Sequence, residues 1–413
     1  MTWTGKGSPR AIGVTPSHRE ERKCHNCCMN SSPTSTPSGN RTLSSAKAAK
    51  QDEFYTQYVD IQKEVEAYLE FDPDTFRGKI VYCNCDDPFE SNFFKYFAAN
   101  FNKLGLKKLV TTSYDGSPIA GQDSLFPEYN EGNGKRKKPK AIAVELSEVK
   151  DVTGDGATGI DDVKLFLEQN PHTRRPLAEG GDFRSTECVE LLKQADIVVT
   201  NPPFSLFREY VAQLVEYGKR FVIVGPKNAV TYKEIFPLIK ENKVWLGAGF
   251  SNGNAYFSIP NGYEREFADG VYDPTTGLVK FRNVGWFTNL DHGRRHQVLP
   301  LMTMEDNLKY SKHKEIKGKA AYDRYVNYDG IDVPFTDAIP SDYDGAMGVP
   351  ITFLDKYNPD QFEIVGSSMT LSLPMSQFAE RGTYLQGGPR FYTANGDGTY
   401  RRQYDRIVIR HRR

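Results

Sequence analysis

The chain has 413 residues, 38% of them hydrophobic and 26% charged, which is enough for two or three domains around a sizeable core. It contains no apolar run of membrane-spanning length and begins without a hydrophobic signal core, so membrane and secreted classes are set aside. Lys plus Arg and Asp plus Glu number 53 each, so no global attraction to nucleic acid exists and any basic footprint must be local.

Residues 1–45 are rich in Ser, Thr, Pro, Gly and basic side chains and are expected to form a disordered or weakly ordered tail. Cys24, His25, Cys27 and Cys28 crowd within it. A single Cys-x-x-Cys is half of a structural zinc site, and no second pair follows, so no metal is expected. With Cys83, Cys85 and Cys188 they make no secreted disulfide pattern, and a reducing cytoplasm is the expected setting.

From residue 46 the pattern changes. Val59, Ile61, Val65 and Leu69 recur at broadly helical spacing over 58–69. Residues 79–85 read as a strand ending in the polar turn Asp86-Asp87-Pro88. Ser91 suits the N-cap of a helix over 92–104 that presents Phe93, Phe94, Phe97 and Phe101, and a second strand follows at 108–112. Strand, turn, helix and strand make a βαβ unit, which implies parallel pairing and a right-handed crossover. Between 114 and 180 the periodicity loosens. The basic run 135–138 suits phosphate contact and a solvated loop equally. Residues 151–162 faintly resemble a calcium loop, but Asp162 stands where the glutamate belongs, and the reading is discounted.

A helix over 186–194 leads into the buried strand Ile197-Val198-Val199 and then Thr200-Asn201-Pro202-Pro203-Phe204. An exocyclic amine on an aromatic ring is a poor nucleophile, because its lone pair is delocalised. Two acceptors aimed at its two N–H bonds draw the nitrogen toward tetrahedral geometry and free that pair. Asn201 offers a side-chain oxygen, and Pro202 a carbonyl on a backbone stiffened by Pro202 and Pro203. Phe204 offers a flat face for an extruded base. The tetrapeptide alone is also an ordinary strand-end turn. The buried strand before it favours the chemical reading, since α/β folds bind ligands at the carboxyl ends of such strands. A helix over 205–218, a strand over 220–225, a helix over 232–241 and a strand over 243–250 continue the alternation. Residues 46–300 therefore read as a doubly wound α/β domain with a nucleotide-type ligand at its strand ends.

At this point the chain resembles the EcoRI-type adenine-specific DNA methyltransferases. The resemblance rests on Asp52-Glu53-Phe54-Tyr55-Thr56, Val81-Tyr82-Cys83-Asn84-Cys85-Asp86-Asp87-Pro88, Gly181-Asp182-Phe183-Arg184-Ser185 and Thr200-Asn201-Pro202-Pro203-Phe204-Ser205-Leu206-Phe207. Trp286-Phe287-Thr288-Asn289-Leu290 and Phe353-Leu354-Asp355-Lys356-Tyr357-Asn358-Pro359 extend it. It implies a Rossmann-like methyltransferase domain, S-adenosylmethionine as donor, and adenine N6 in double-stranded DNA as acceptor. It implies site-specific methylation serving restriction-modification or phage and host DNA protection, beside a cognate restriction endonuclease outside any stable complex. It places Phe54, Tyr55 and Thr56 around the donor's methionine moiety, and Tyr82, Asn84, Asp86 and Asp87 at the first strand and turn. There Cys-Asn-Cys-Asp-Asp replaces the usual glycine-rich turn. Asp182 is implied to accept from the amino group of the donor's adenine, with Phe183 against that ring, while Asn201, Pro202, Pro203 and Phe204 are catalytic and Asn201 also borders the donor. The resemblance calls for no metal.

Residues 301–413 lack clean βα alternation and are assigned, by resemblance and elimination, to a mixed α+β DNA target-recognition region. Lys309, Lys312, Lys314, Lys317 and Lys319 lie near Tyr310, and the end from Tyr400 to Arg413 interleaves arginines with aromatics. Such a stretch suits phosphate and base-edge contacts, and equally a final strand over 406–410 with solvated arginines. His292, Arg294, Arg295 and His296 form another basic cluster, suited to DNA or to a polar loop. Methylation of an rRNA adenine or of a protein glutamine amide is the alternative, since either presents a planar amine to the same clamp. A regulator with a vestigial core would carry a damaged clamp, and Asn201 to Phe204 is intact.

Overall fold

The computed structural model describes residues 54–85, 91–115, 141–154, 156, 158–250, 254–259, 267 and 269–412. The tail cysteines, Asp52, Glu53, Asp86, Asp87 and the basic run 135–138 lie outside the described residues.

A short strand, β1 (Tyr55–Thr56), precedes helix α1 (Tyr58–Phe71). The expected βαβ unit follows as β2 (Ile80–Asn84), α2 (Asn92–Ala99) and β3 (Lys108–Thr112), with β2 and β3 paired in parallel. Ser91 caps α2 as expected, its hydroxyl accepting from Phe93 N at 3.0 Å. The helix does not run to 104: it breaks at Asn100, whose amide folds back onto Tyr96 O at 2.9 Å, before a separate turn Phe101–Leu104. Next come β4 (Ile142–Leu146), α3 (Ile160–Gln169), β5 (Arg174–Pro176), α4 (Thr186–Gln194), β6 (Ile197–Thr200), α5 (Phe207–Glu216) and β7 (Arg220–Pro226). The helix expected over 232–241 shrinks to α6 (Phe236–Lys240), with Pro237 in its first turn, and the strand over 243–250 to β8 (Trp245–Leu246). Strands β9 (Ala255–Ser258), β10 (Tyr272–Asp273), β11 (Leu278–Phe281) and β12 (Val284–Thr288) complete this part.

The large sheet runs β5-β4-β3-β2-β6-β7-β12-β8. Its centre, β3-β2-β6-β7, is parallel, but β4, β5 and β12 are antiparallel, so the sheet is mixed rather than parallel throughout. Strand alternation divides the core in two. Val81, Cys83, Ile197, Val199, Val222 and Val224 pack under α1, α2 and α3. Tyr82, Val198, Phe221 and Ile223 face α4, α5 and α6. The strand order reverses between β2 and β6, and the carboxyl ends at such a switch point are where α/β sheets bind ligands.

The second core also holds the C-terminal region. After α7 (Met304–Tyr310), strands β13 (Ile331–Asp332), β14 (Met347–Pro350), β15 (Phe362–Ser367) and β18 (Arg406–His411) form a sheet ordered β13-β14-β18-β15, while β16 (Tyr392–Ala394) and β17 (Tyr400–Arg402) form a hairpin. Met347, Val349, Phe353, Ile364, Ile407 and Ile409 join Phe221, Ile223 and Ile239 in one cluster. Lys227, just after β7, adds an ion pair to Asp355 at 2.9 Å. No helix among the described residues is long and apolar enough to cross a membrane.

Helix α1 buries Ile61 and Val65 as its apolar spacing predicts, but the buried face is shifted away from Val59. Val59 is 51% exposed, while Asp60 and Glu64 are buried beside Ile61, Val65 and Tyr68. Glu64 accepts from the Tyr68 hydroxyl at 2.7 Å and from the amides of Ala248 and Gly249 at 3.0 Å each. A Cβ on Gly247 would come within 1.9 Å of the same carboxylate, which explains the glycine. Burial raises the Glu64 carboxyl to about 7, against the lowering pull of these donors. The folded value lies above the unfolded 4.5, so the native state holds the extra proton and stability falls as pH rises from 4.5 to about 7. Glu64→Gln removes this titration. Urea unfolding of parent and variant should show the parent losing about 2 kcal/mol relative to the variant between about pH 5 and pH 8. A pH-independent difference would contradict the assignment.

Candidate active site

Three segments meet at the carboxyl ends of β2 and β6. Strands β2 and β6 end side by side, and the Thr200 hydroxyl donates to Asn84 O. Beneath them Asn84 is 1% exposed, and its side-chain oxygen accepts from the Tyr210 hydroxyl. Burial drives the Tyr210 phenol well above its usual range, so it stays a donor. The Tyr82 side chain is likewise interior, its hydroxyl 3.0 Å from that of Thr112. Cys85, just past β2, adopts a left-handed φ of 60°. Backbone strain of this kind at a strand end is a mark of functional turns.

The third segment is β1, which lies against this end of the sheet. Asn201 Nδ2 donates to Phe54 O at 2.8 Å, and Asn92 Nδ2 donates to Thr56 O at 2.8 Å. On its other side β1 pairs with β9, Thr56 opposite Phe257, and the Phe54 ring meets Phe281 edge-on at 4.7 Å. The segment 54–56 and Asn201, 147 residues apart in sequence, are thus hydrogen-bonded neighbours.

The bond to Phe54 sets the orientation of the Asn201 amide, because a flipped amide would place oxygen against oxygen. Asn201 Oδ1 is then buried without a hydrogen-bond partner among the described residues. A buried acceptor left unmade costs about 1–3 kcal/mol, and such atoms in a native fold mark places where a ligand completes the set. Thr56 Oγ1 is a second buried polar atom without a partner among the described residues. Pro202 is buried and Pro203 holds φ −55° and ψ 123°, giving the rigid corner expected of two prolines. Phe204 is half-buried, its inner edge on the core shared with Phe54.

Asp182 and Phe183 stand further along, after β5. Asp182 holds Arg184 through two side-chain bonds at 2.9 and 2.7 Å, and Arg184 also reaches Glu209 at 3.0 Å. Burial pulls the Asp182 carboxyl up, but the Arg184 bonds outweigh it and leave it below the usual range. Phe183 is 4% exposed and meets Tyr210 edge-on at 5.1 Å. Asp115, after β3, accepts from Ala141 N at 2.6 Å. In the basic cluster, His292 and Arg295 are buried, with the Arg295 guanidinium 3.7 Å over the Trp245 ring, while Arg294 donates to Ala248 O. That cluster braces the loop held by Glu64. No group of three or more His, Cys, Asp or Glu among the described residues could hold a metal ion, and no disulfide joins Cys83, Cys85 and Cys188. Sequence reasoning missed Asn92 and Glu64. Asn92 reads as an ordinary first helical residue, and Glu64 as a surface charge.

Comparison with known proteins places the chain in a family. The family described as "Adenine-specific methyltransferase EcoRI" matches residues 42–412. The type II methyltransferase M.EcoRI of Escherichia coli is 44% identical over 79% of this chain and 89% of its own length. The type II methyltransferase M.MpnI of Mycoplasma pneumoniae is 35% identical over 78% of this chain and 83% of its own. M.MgeORF184P of Mycoplasma genitalium is 35% identical over 78% and 84%. No solved structure matches. The class is therefore that of the methyltransferases. More narrowly, the chain belongs to the EcoRI family of adenine-specific methyltransferases.

Proposed function

We propose that this chain is a site-specific DNA methyltransferase that moves a methyl group to N6 of an adenine flipped out of duplex DNA. The observation that carries the reading is the unpartnered Asn201 Oδ1, aimed away from the bond that orients its own amide. Asn201 Oδ1 and the Pro202 carbonyl accept the two N–H bonds of the amine, and Pro203 keeps that carbonyl in place. The half-buried Phe204 ring stacks on the base and offsets part of the few kcal/mol that extrusion costs. Both hydrogen bonds strengthen as the nitrogen becomes positive, so they favour the transition state over the ground state.

S-adenosylmethionine, when bound, supplies the methyl group as a sulfonium. The residues present fit such a donor, because the segment that would border it carries the orphaned Thr56 hydroxyl. Phe54, Tyr55 and Thr56 line it in this reading, Asn201 separates it from the base, and Tyr82 and Asn84 shape the floor from inside the core. Asp182 and Phe183 close the far side, the carboxylate held ready by Arg184. Asp86 and Asp87 complete the turn. The sheet is then a doubly wound, Rossmann-like methyltransferase core over 46–300, with a recognition region over 301–413 mounted on the same hydrophobic core. A cytoplasmic role in restriction-modification or phage and host DNA protection follows, with any cognate endonuclease a separate protein.

Thr56→Val tests the donor side. It removes a buried unsatisfied hydroxyl, so Tm should stay level or rise, while calorimetric titration with S-adenosylmethionine should show binding weakened about tenfold. Equal affinity would remove Thr56 from the donor site. The acceptor class is tested by offering duplex DNA, ribosomal RNA and a glutamine-bearing protein extract together with labelled donor. Label in DNA is expected; label confined to RNA or protein would replace this reading with the alternative.

A further inference from the structure

The C-terminal region is electrically divided. Residues 301–368 carry twelve acidic against seven basic side chains, whereas 369–413 carry eight arginines, no lysine and three acids. The arginine-rich part also exposes apolar surface: Met369, Leu373, Phe378, Leu385 and Tyr404 are open to solvent, Leu385 at 75% and Tyr404 at 87%.

Not every arginine there is available. Arg390 pairs with Asp405 at 3.1 Å and Arg406 with the buried Asp332 at 2.8 Å. Arg381, Arg401, Arg402 and Arg410 pair with no carboxylate among the described residues. The loop 381–390 is anchored to the β16–β17 hairpin. Tyr400 N donates to Thr383 O at 2.9 Å, and the Tyr392 hydroxyl donates to Leu385 O at 2.7 Å. A Cβ on Gly387 would come within 2.8 Å of the Arg402 guanidinium, so the glycine is what lets that arginine lie under the loop. Between loop and hairpin is a cavity of about 420 Å³ walled by Ser372, Arg381, Tyr384, Gly387, Arg390 and Tyr392, with no acidic residue in its lining. Ser372 Oγ in its wall, and Arg402 Nε under Gly387, are buried without hydrogen-bond partners among the described residues.

We propose that loop 381–390 and the β16–β17 hairpin form the surface that takes the DNA duplex, with Arg381 and Arg402 on backbone phosphates and the Leu385 tip in a groove. The inference rests on the DNA methyltransferase reading and narrows its recognition region to the arginine-rich part. Guanidinium groups without carboxylate partners, a cavity lined by Arg381 and Arg390 and free of acids, and an exposed apolar tip together match a polyanion carrying apolar groove edges. The lysine cluster 309–319 lies in the acidic part and is partly neutralised there, Lys312 by Asp337 at 2.8 Å and Lys319 by Asp323 at 2.8 Å.

The test is fluorescence anisotropy on random-sequence duplex DNA across a salt series, since phosphate contacts need no particular sequence. Arg381→Ala with Arg402→Ala should weaken binding at least tenfold and lower the slope of log Kd against log salt by about two. Exposed Arg381 alone should lower the slope by about one, which covers the case in which the half-buried Arg402 variant folds poorly. Leu385→Ala should weaken binding about threefold with the slope unchanged, because it removes apolar contact and no charge. Lys312→Ala should bind as the parent does. Parent-like affinity and slope in Arg381→Ala and Leu385→Ala would overturn this inference alone. Absence of duplex binding by the parent chain would overturn the methyltransferase reading with it.

Discussion

Asn201→Ala should reduce kcat for methyl transfer by on the order of a thousandfold, about 4 kcal/mol, with duplex affinity and Tm nearly unchanged. The stability side is close to neutral by compensation. The variant loses the bond from Asn201 Nδ2 to Phe54 O, worth about 1 kcal/mol, and also loses a buried acceptor without a partner. The catalytic side has no such compensation, because in the proposed clamp Oδ1 is one of the two acceptors that hold the amine. Single-turnover methylation measures the effect free of product release. Asn201→Asp should fare no better, since one carboxylate oxygen would face the Phe54 carbonyl where an amide nitrogen now donates. A rate within tenfold of the parent in Asn201→Ala would remove the clamp from the mechanism.

The second large effect concerns stability. Asp332 and Arg406 are 4% and 8% exposed at their side chains, 2.8 Å apart, and the Tyr325 hydroxyl donates to the same Asp332 oxygen at 2.7 Å. Burial and the Asp332 charge drive the Tyr325 phenol far up, so it is a permanent donor to that carboxylate. Asp332→Ala strands a buried guanidinium and leaves the Tyr325 hydroxyl only the longer bond to Gly348 O at 3.2 Å, and equilibrium urea unfolding should show a loss of about 3–5 kcal/mol. Replacing Asp332 and Arg406 together by apolar residues of similar volume should recover most of that loss. Because the C-terminal sheet shares its core with β6 and β7, the loss should appear as a shift of one transition rather than as a separate early one. A shift under about 1 kcal/mol would mean the pair is hydrated in solution.

What the sequence disclosed follows the range of the forces involved. Helix α4 has the expected bounds because its signal is local: the Ser185 hydroxyl accepts from Cys188 N at 3.3 Å and ends the preceding turn. The Asn201 corner is legible for the same reason, since two prolines fix it whatever surrounds it. Strand direction is another matter. β12 is not among the elements expected from the sequence, and whether it runs with or against β7 depends on the connection, which no residue within 284–288 encodes. The shortening of 232–241 to α6 reflects Pro237, which fits a first turn and not a helix interior. Glu64 could not be found from its neighbours, because the amides that draw it inward lie 184 and 185 residues away. Of the candidate site, the chemistry of the Asn201 corner is legible in the sequence, and the packing around it is not. Asn201 is hydrogen-bonded to Phe54 O, a contact between distant segments that no local pattern announces, while Tyr82, Asn84 and Phe183 turn their side chains into the core. The sequence reading treats 301–413 as one region, and the packing shows that β13, β14, β15 and β18 of it share the core of the large sheet.

The most direct measurement is to methylate unmodified duplex DNA with labelled S-adenosylmethionine, digest it to nucleosides and identify the labelled base. Label in N6-methyladenine with the parent chain, and none with Asn201→Ala, is the predicted result. Label in a methylated cytosine, or equal incorporation by Asn201→Ala, would contradict the account.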